Sequence, residues 1–584
     1  MRVCFILFSL SVLQTPTHAQ FHDNTWLSGY EGGVVSPNDD RFGITVLDFT
    51  EGSLRITDNQ EIGLEFYITA FSMSDSSGKL LFYTNGIDVE DVSWNTMQNG
   101  ANIHPDVLGG LTISQGVLGL QYPGKKNQYA LLHVPRGYVG FPLNTVGSLH
   151  LFYTRVDMEQ NGGLGAVMEK SVPLLSDTLM FGKLKSAKHA NGRDWWVLVP
   201  EAYTNNIYRF LFDPDGFHLI GKQAIGAKLY PGVGQAVFSP DGARYVLYDT
   251  YVMSMPDVVG VYDFDRCTGM LSNHRRIELG VAPLVAGGAT FSPNSRYLYV
   301  HSTLVVAQYD LLASDLAASR VELGWYDGYE SPFPTHFFAG QLAPDGKIYM
   351  NTSNGTDVLH VIHRPDEAGA AAMLEQHGIR IPTYNASSMN NYPNYRLGPL
   401  DGSPCDTLGI DNHPKAWWRY EQDTLDALAV SFRDLSYYEP AIWAWNFGDS
   451  SPTSSTRHPQ HQYAQPGAYQ VCLTVSNHYG TDTHCKMLYL GVTAQENPVL
   501  QAQVQVWPNP FRERFAVAVS SPLLGRSRGA LRLYNAAGRL VMEQRLVLGV
   551  NEIETRALPA GLYVWEIVAG GERVKSGKIA KSRE

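Results

Sequence analysis

The sequence predicts an all-β chain: an N-terminal β-propeller of seven blades followed by two immunoglobulin-like β-sandwich domains. Three observations carry that prediction. A turn-and-strand unit recurs through roughly the first four hundred residues, hydrophobic alternation of period two runs between 411 and 493, and short strands divided by glycine-containing turns fill the end of the chain.

The chain opens with MRVCFILFSLSVLQTPTHAQ: one charge at Arg2, an apolar run from Val3 to Leu13, then small and polar residues ending in Thr17, His18 and Ala19. That run is too short to span a bilayer and suits a secretory signal peptide over 1–19, cleaved after Ala19. Cys4 lies within it without the preceding run and cleavage site of an acylated cysteine, which argues against a lipoprotein. No later stretch reaches the ~18 apolar residues of a membrane span, so the mature chain is expected to be exported, with no transmembrane segment.

Residues 20–403 are assigned to the propeller. SDSSGKLLFYTNG (74–86), ANGRDWWVLVP (190–200), FSPDGARYVLYD (238–249), FSPNSRYLYVHS (291–302) and LAPDGKIYMNTS (342–353) each place Asp-Gly, Asn-Gly, Ser-Gly or Asn-Ser before an aromatic, β-branched run. Such pairs accept the backbone angles of a tight turn, so the unit reads strand, turn, strand. The last three copies recur about every fifty residues, the size of a four-stranded blade. With PGKKNQYALLHVPRG and LHLFYTRVD six blades are marked, and the ends (26–50 and 384–400) supply the seventh. MQNGANIHPDVLGGLTISQG reads as a long loop or as part of a blade, which leaves six or eight blades open, and a flat array of sandwiches would have to explain the period. The FSPDG, FSPNS and LAPDG turns resemble those of WD40-like or YVTN-type propellers of exported bacterial proteins.

From 411 to 493 the strands shorten. Leu428, Val430 and Phe432 alternate on one strand, Trp443, Trp445 and Phe447 on another, and Tyr469, Val471, Leu473 and Val475 on a third. WNFGDSSPTSSTRHPQHQYAQPGAYQVCLTVSN resembles the polycystic kidney disease (PKD) domain, through Trp445–Asp449 and His461–Val475. The resemblance implies a spacer or an accessory contact with polysaccharide or protein. Trp443 and Trp445 follow the alternation of a core strand, and Asp449 reads as a turn residue, because calcium requires six to eight oxygens.

A linker (494–503) leads to 504–584. Pro508 and Pro510 remove two backbone donors, so they end one edge strand and aim the next. WPNPF, LYNAAGRLV, VNEIETRALPAGLY and SGKIAK closely resemble the type A C-terminal sorting domain of the type IX secretion system of the Bacteroidetes lineage. The residues carrying the match are Pro508, Asn509, Pro510, Asn535, Gly538, Asn551, Gly561, Tyr563, Gly577 and Lys578, with Trp507 in place of the usual Tyr. The resemblance implies type IX machinery at the outer membrane as a partner, and a location that is extracellular or attached to the outer cell surface.

The balance of 44 Lys and Arg against 56 Asp and Glu, a formal charge of -12, argues against nucleic acid as a partner. Beyond Cys4, four cysteines allow three pairings. Cys472 and Cys485 flank one predicted hairpin and are the easiest to join, while a Cys267–Cys405 bridge and free buried thiols both stay open. No H-E-x-x-H, G-x-S-x-G, Walker or G-x-G-x-x-G motif occurs. DPDG (213–216) and DFD (263–265) read as turns or strand ends, and isolated His104, His133, His189 and His336 read as structural, with a catalytic place at a propeller mouth as the other reading. No catalytic residue, cofactor or metal ligand is assigned. The favoured function is a non-enzymatic binding or adhesion protein of the cell surface. The alternatives are a secreted enzyme degrading polysaccharide or peptide at the propeller mouth, and a structural component of an extracellular matrix or filament.

Overall fold

The computed structural model describes residues 20–582 except 31–40, 60, 105–110, 140–144, 231, 250–257, 280–286, 424, 492–503, 520–528, 536–538, 547–548, 557 and 570–571. Apart from two short 3-10 turns, Asn161–Gly163 and Gly369–Ala372, the regular structure of these residues is β-strand. No helix among them is long and apolar enough to cross a membrane.

The residues before 400 form seven sheets. Thr25–Gly29, Ile44–Asp48 and Arg55–Asn59 make the first, and Thr69–Ser74, Leu80–Thr84 and Val89–Asp91 the second. The third holds Val117–Gln121, Gln128–His133, Thr145–Asp157 and Ala166–Leu179, with Gly137–Val139 on its long third strand. Four antiparallel meanders follow, beginning at Lys185–Lys188, Ala236–Phe238, Gly287–Phe291 and Phe337–Leu342. Their first strands lie against one another in succession, and the last lies against Met389–Asn390. That short strand returns to the second sheet and pairs in parallel with Thr69–Ser74. The two chain ends therefore do not share one sheet, as the sequence had suggested: 25–59 make a sheet by themselves, and 389–390 extend another.

Burial explains why the second strands read as continuous apolar runs. Trp195–Pro200 is buried at every position, as is Tyr245–Tyr248, because neighbouring sheets cover both faces. The outermost strands, such as Leu271–Glu278, are largely open to solvent, with Leu271 and Ile277 buried.

The recurring turns share one device. In each, a side-chain oxygen accepts the backbone N–H two residues ahead: Asp75 from Ser77 at 2.8 Å, Asn191 from Arg193 at 3.0 Å, Asp241 from Ala243 at 2.9 Å, Asn294 from Arg296 at 3.0 Å and Asp345 from Lys347 at 3.0 Å. A short carboxylate or amide can do this and a longer or apolar side chain cannot, which is why Asp or Asn recurs. MQNGANIHPDVLGGLTISQG, where described, forms turns and isolated bridges and no full strand.

Two small sandwiches follow. The first pairs Trp418–Gln422, Ala429–Asp434 and Gln460–Gln462 against Ile442–Asn446, Gly467–Asn477 and Gly480–Leu490. Trp445 and Phe447 are buried in its core, but Trp443 is only half-buried and lies under the Arg457 guanidinium. Trp443 still packs against that core without being enclosed by it. The last sandwich sets Val504–Trp507, Arg514–Val519 and Gly549–Glu554 against Leu540–Leu546, Gly529–Tyr534, Gly561–Ala569 and Glu572–Lys581.

Candidate functional site

The loop from Tyr326 to His336 connects an outermost strand, Val321–Trp325, to the first strand of the next sheet, Phe337–Leu342. Its sequence, WYDGYESPFPTHFF with the flanking residues, is unusually aromatic. Trp325 and Phe333 are 56% and 55% exposed, and Tyr329 is exposed at the margin. Large rings exposed together on one loop can form a contact surface.

The loop is fastened from beneath. Thr335 Oγ1 donates to the Tyr329 carbonyl at 3.0 Å, Asn354 Nδ2 donates to the Pro334 carbonyl at 2.6 Å, and the Asp327 carboxylate accepts the Tyr329 N–H at 3.0 Å. Tyr329 stacks on His377 with ring centroids 4.1 Å apart, and His377 Nε2 lies 2.9 Å from Asp327 Oδ2. Trp325 Nε1 donates to Glu322 at 2.8 Å. Trp325 is thus set by a hydrogen bond on its edge and Tyr329 by the ring beneath it, while Trp325 and Phe333 stay largely exposed, an arrangement suited to packing against a flat apolar surface such as the C–H face of a sugar.

The four histidines singled out in sequence do not converge on one site, although His104 lies near enough to His133 to act on it. His133 is buried in its strand with Nε2 3.1 Å from Thr154 Oγ1, and burial, then His104, pushes it down to about 3. His189 packs at a turn 3.1 Å from the Cys267 carbonyl, and His336 stands edge-on to Tyr326 in the aromatic loop. Asp213 and Asp265 hold turns through Asp215 and Cys267, as Asp449 does through Ser451 and His461.

A second concavity, of about 560 Å³, lies between the turns of the sheet array and the first sandwich. The two bodies are joined around it. Arg419 Nε donates to the Asp345 carbonyl at 2.6 Å, Lys347 pairs with Glu421 at 2.7 Å, and Lys486 donates to the Glu51 carbonyl at 2.7 Å. Phe21 packs 4.9 Å from Trp417, and Cys267 is bonded to Cys405.

Acid is expected to loosen this junction in two stages. Burial, then Arg433, Arg457 and Arg419, depress His458 to about 4, so the folded protein holds it neutral. Its stabilisation is complete above pH 6.5 and lost as pH falls toward 4. Burial alone would raise Glu421, but Arg419 and Lys347 overrule it and hold the carboxyl at about 2. Its contribution, modest because the side chain is 41% exposed, is present above pH 4.5 and lost toward pH 2. Thermal scans across pH 7 to 2 should show both losses, with His458→Gln flattening the upper stage and Glu421→Gln the lower.

In the last sandwich the residues of the sorting resemblance hold turns and strand ends, and Asn509 meets Lys578. Pro508 and Pro510 follow the end of the strand Val504–Trp507, and Asn509 between them donates to the Lys578 carbonyl at 3.2 Å and accepts the Ala580 N–H at 3.0 Å. Gly577 faces Trp565 across the strand pair, where a Cβ would come within 2.6 Å of the indole. Asn551 reaches the Val517 carbonyl, Asn535 accepts the Arg539 N–H, the buried Tyr563 donates to the Pro559 carbonyl, and Gly561 opens its strand. Gly538 lies outside the described residues. Lys581, which closes the SGKIAK run, donates from its ammonium to the carbonyls of Thr555 and Leu558, at 2.8 and 2.7 Å. Cys472 and Cys485 are directly opposed in the earlier sandwich, with sulfurs 2.06 Å apart.

The PKD domain family matches residues 420–492, and the secretion system C-terminal sorting domain matches 505–582. No curated protein matches the chain. Among solved structures, the PKD1 domain of the Vibrio cholerae metalloprotease PrtV is 26% identical, covering 14% of this chain and 99% of its own, with a TM-score of 0.13. A candidate 6-phosphogluconolactonase from Bacteroides uniformis is 14% identical over 62% of this chain and 98% of its own, at a TM-score of 0.36. Apo AztD from Citrobacter koseri is 11% identical over 62% and 95%, at 0.31. The class is then an exported, all-β, multidomain protein. Its sorting domain directs it to type IX secretion, for release or attachment at the outer cell surface.

Proposed function

We propose that this is a non-enzymatic polysaccharide-binding protein of the cell surface, whose seven N-terminal sheets are the blades of a propeller over 20–403. Met389–Asn390, lying between the last meander and the second sheet, supports closure of the ring. A signal peptide (1–19) is removed, the PKD-like domain (411–493) spaces the propeller from the linker (494–503), and the module 504–584 delivers the chain to the outer-membrane machinery.

The observation that carries the binding role is the fastened loop with Trp325, Tyr329 and Phe333 outward. Large rings with few rotamers lose little entropy on contact, and each contributes roughly 25 cal/mol for every Å² of apolar surface a ligand covers. Affinity electrophoresis of the mature chain in gels containing bacterial, plant or host polysaccharides should show retardation by at least one, and Trp325→Ala/Phe333→Ala should weaken it by about tenfold or more. Unchanged retardation would remove the loop from the account. Shortened polysaccharide in the gel would favour the secreted enzyme instead.

A further inference from the structure

We propose that the cleft between the sheet array and the PKD-like domain is a second binding site, for the carboxylate of an acidic saccharide, with Arg433 as its anchor. This site is independent of the aromatic loop, and either can fail alone.

Arg433 and Arg419 stand directly opposite each other on the paired strands Ala429–Asp434 and Trp418–Gln422. Like charges in that position destabilise a sheet. Arg419 is answered: it pairs with Glu421 at 2.6 Å and donates to the Asp345 carbonyl. Arg457 is answered too, by the wholly buried Asp434 at 2.9 Å. Arg433 is half-buried in the cleft wall and has no hydrogen bond or ion pair among the described residues. Asp366 faces the same space from the sheet array, accepts the Asn294 N–H at 2.9 Å and lies beyond ion-pair distance of Arg433. Arg364, exposed on the turn before it, adds a further cation.

A guanidinium without a partner, beside a second arginine it repels, is a structural cost that an incoming anion removes. Burial, then the neighbouring Arg419, lowers the Arg433 guanidinium, and Asp366 and Glu367 offset this only in part and without an ion pair. The planar guanidinium matches a carboxylate with two parallel hydrogen bonds. The cleft holds about 560 Å³, far more than an ion, and Leu342, Leu435 and Tyr437 supply apolar wall beside the cations. That combination fits a ring carrying one carboxylate, as in a uronate residue.

The test is calorimetric titration of the mature full-length chain with trigalacturonate, with neutral galactotriose and with sodium sulfate. Trigalacturonate should bind, and Arg433→Gln should weaken it ten- to hundredfold, the worth of a charge-assisted pair. The same variant should keep or raise the melting temperature of the PKD-like domain, because it removes a like-charge pair. Arg433→Lys should fall between the two in affinity. Absence of trigalacturonate binding, an Arg433→Gln affinity equal to that of the parent, equal binding of galactotriose, or binding of sulfate alone would each overturn the proposal.

Discussion

Replacing Arg396 with Met is expected to lower the stability of the sheet array by about 3–5 kcal/mol. Arg396 Nη1 and Nη2 meet the two Asp23 oxygens at 2.9 and 2.6 Å, Nη2 also reaches Asn24 Oδ1 at 2.9 Å, and the guanidinium lies over the Phe21 ring. The pair is little exposed, 15% for Arg396 and 9% for Asp23, and joins residues 373 apart in sequence. Removing one partner strands a buried carboxylate. Removing both replaces two desolvated charges with packing and is often nearly neutral. The double variant Asp23→Leu/Arg396→Met should therefore recover most of the loss. Urea unfolding of the three variants checks this, and a double variant as unstable as the sum of the singles would mean that Arg396 acts through its other contacts.

The pair also shows where sequence reading stops. The turns were legible because their chemistry is local: Asp or Asn reaches the amide two residues ahead, and nothing distant is needed. The sorting residues were legible for a related reason, since Asn509 and Gly577 act on backbone and on one facing ring, which confines the residue that can stand there. Arg396 gave no such sign, because its partner lies 373 residues away in sequence. Arg433 reads in sequence as one more charge on an alternating strand, and only the docking of two bodies turns it into an unpaired guanidinium in a cleft. The loop bearing Trp325 and Phe333 did carry a signal. A run of aromatic residues broken by glycine and proline between two strands cannot all be core, and that excess was available before any coordinates.

Converting both Cys267 and Cys405 to Ser is expected to destabilise the protein by more than converting Cys472 and Cys485. In the chain-entropy description a bridge acts by restricting the unfolded chain, and its effect grows with the loop it closes. The first pair is separated by 138 residues and the second by 13, which corresponds to about 5 and about 3 kcal/mol respectively. Folded contacts temper the larger figure. Arg266, next to Cys267, donates to the Lys188 carbonyl at 2.9 Å and also holds the Gly398 carbonyl, so the segment leading to Cys405 stays partly tethered without its sulfur bond. The shorter bridge joins residues already opposed in a long hairpin from Gly467 to Leu490, whose strands keep their register without it. Both considerations leave the order intact and narrow the gap. Denaturation of the two serine pairs beside the parent, under non-reducing conditions, should give the larger loss for the pair at 267 and 405. An equal or reversed order would show that loop closure is not what these bridges contribute, and would place their effect in native contacts around the cleft and the hairpin.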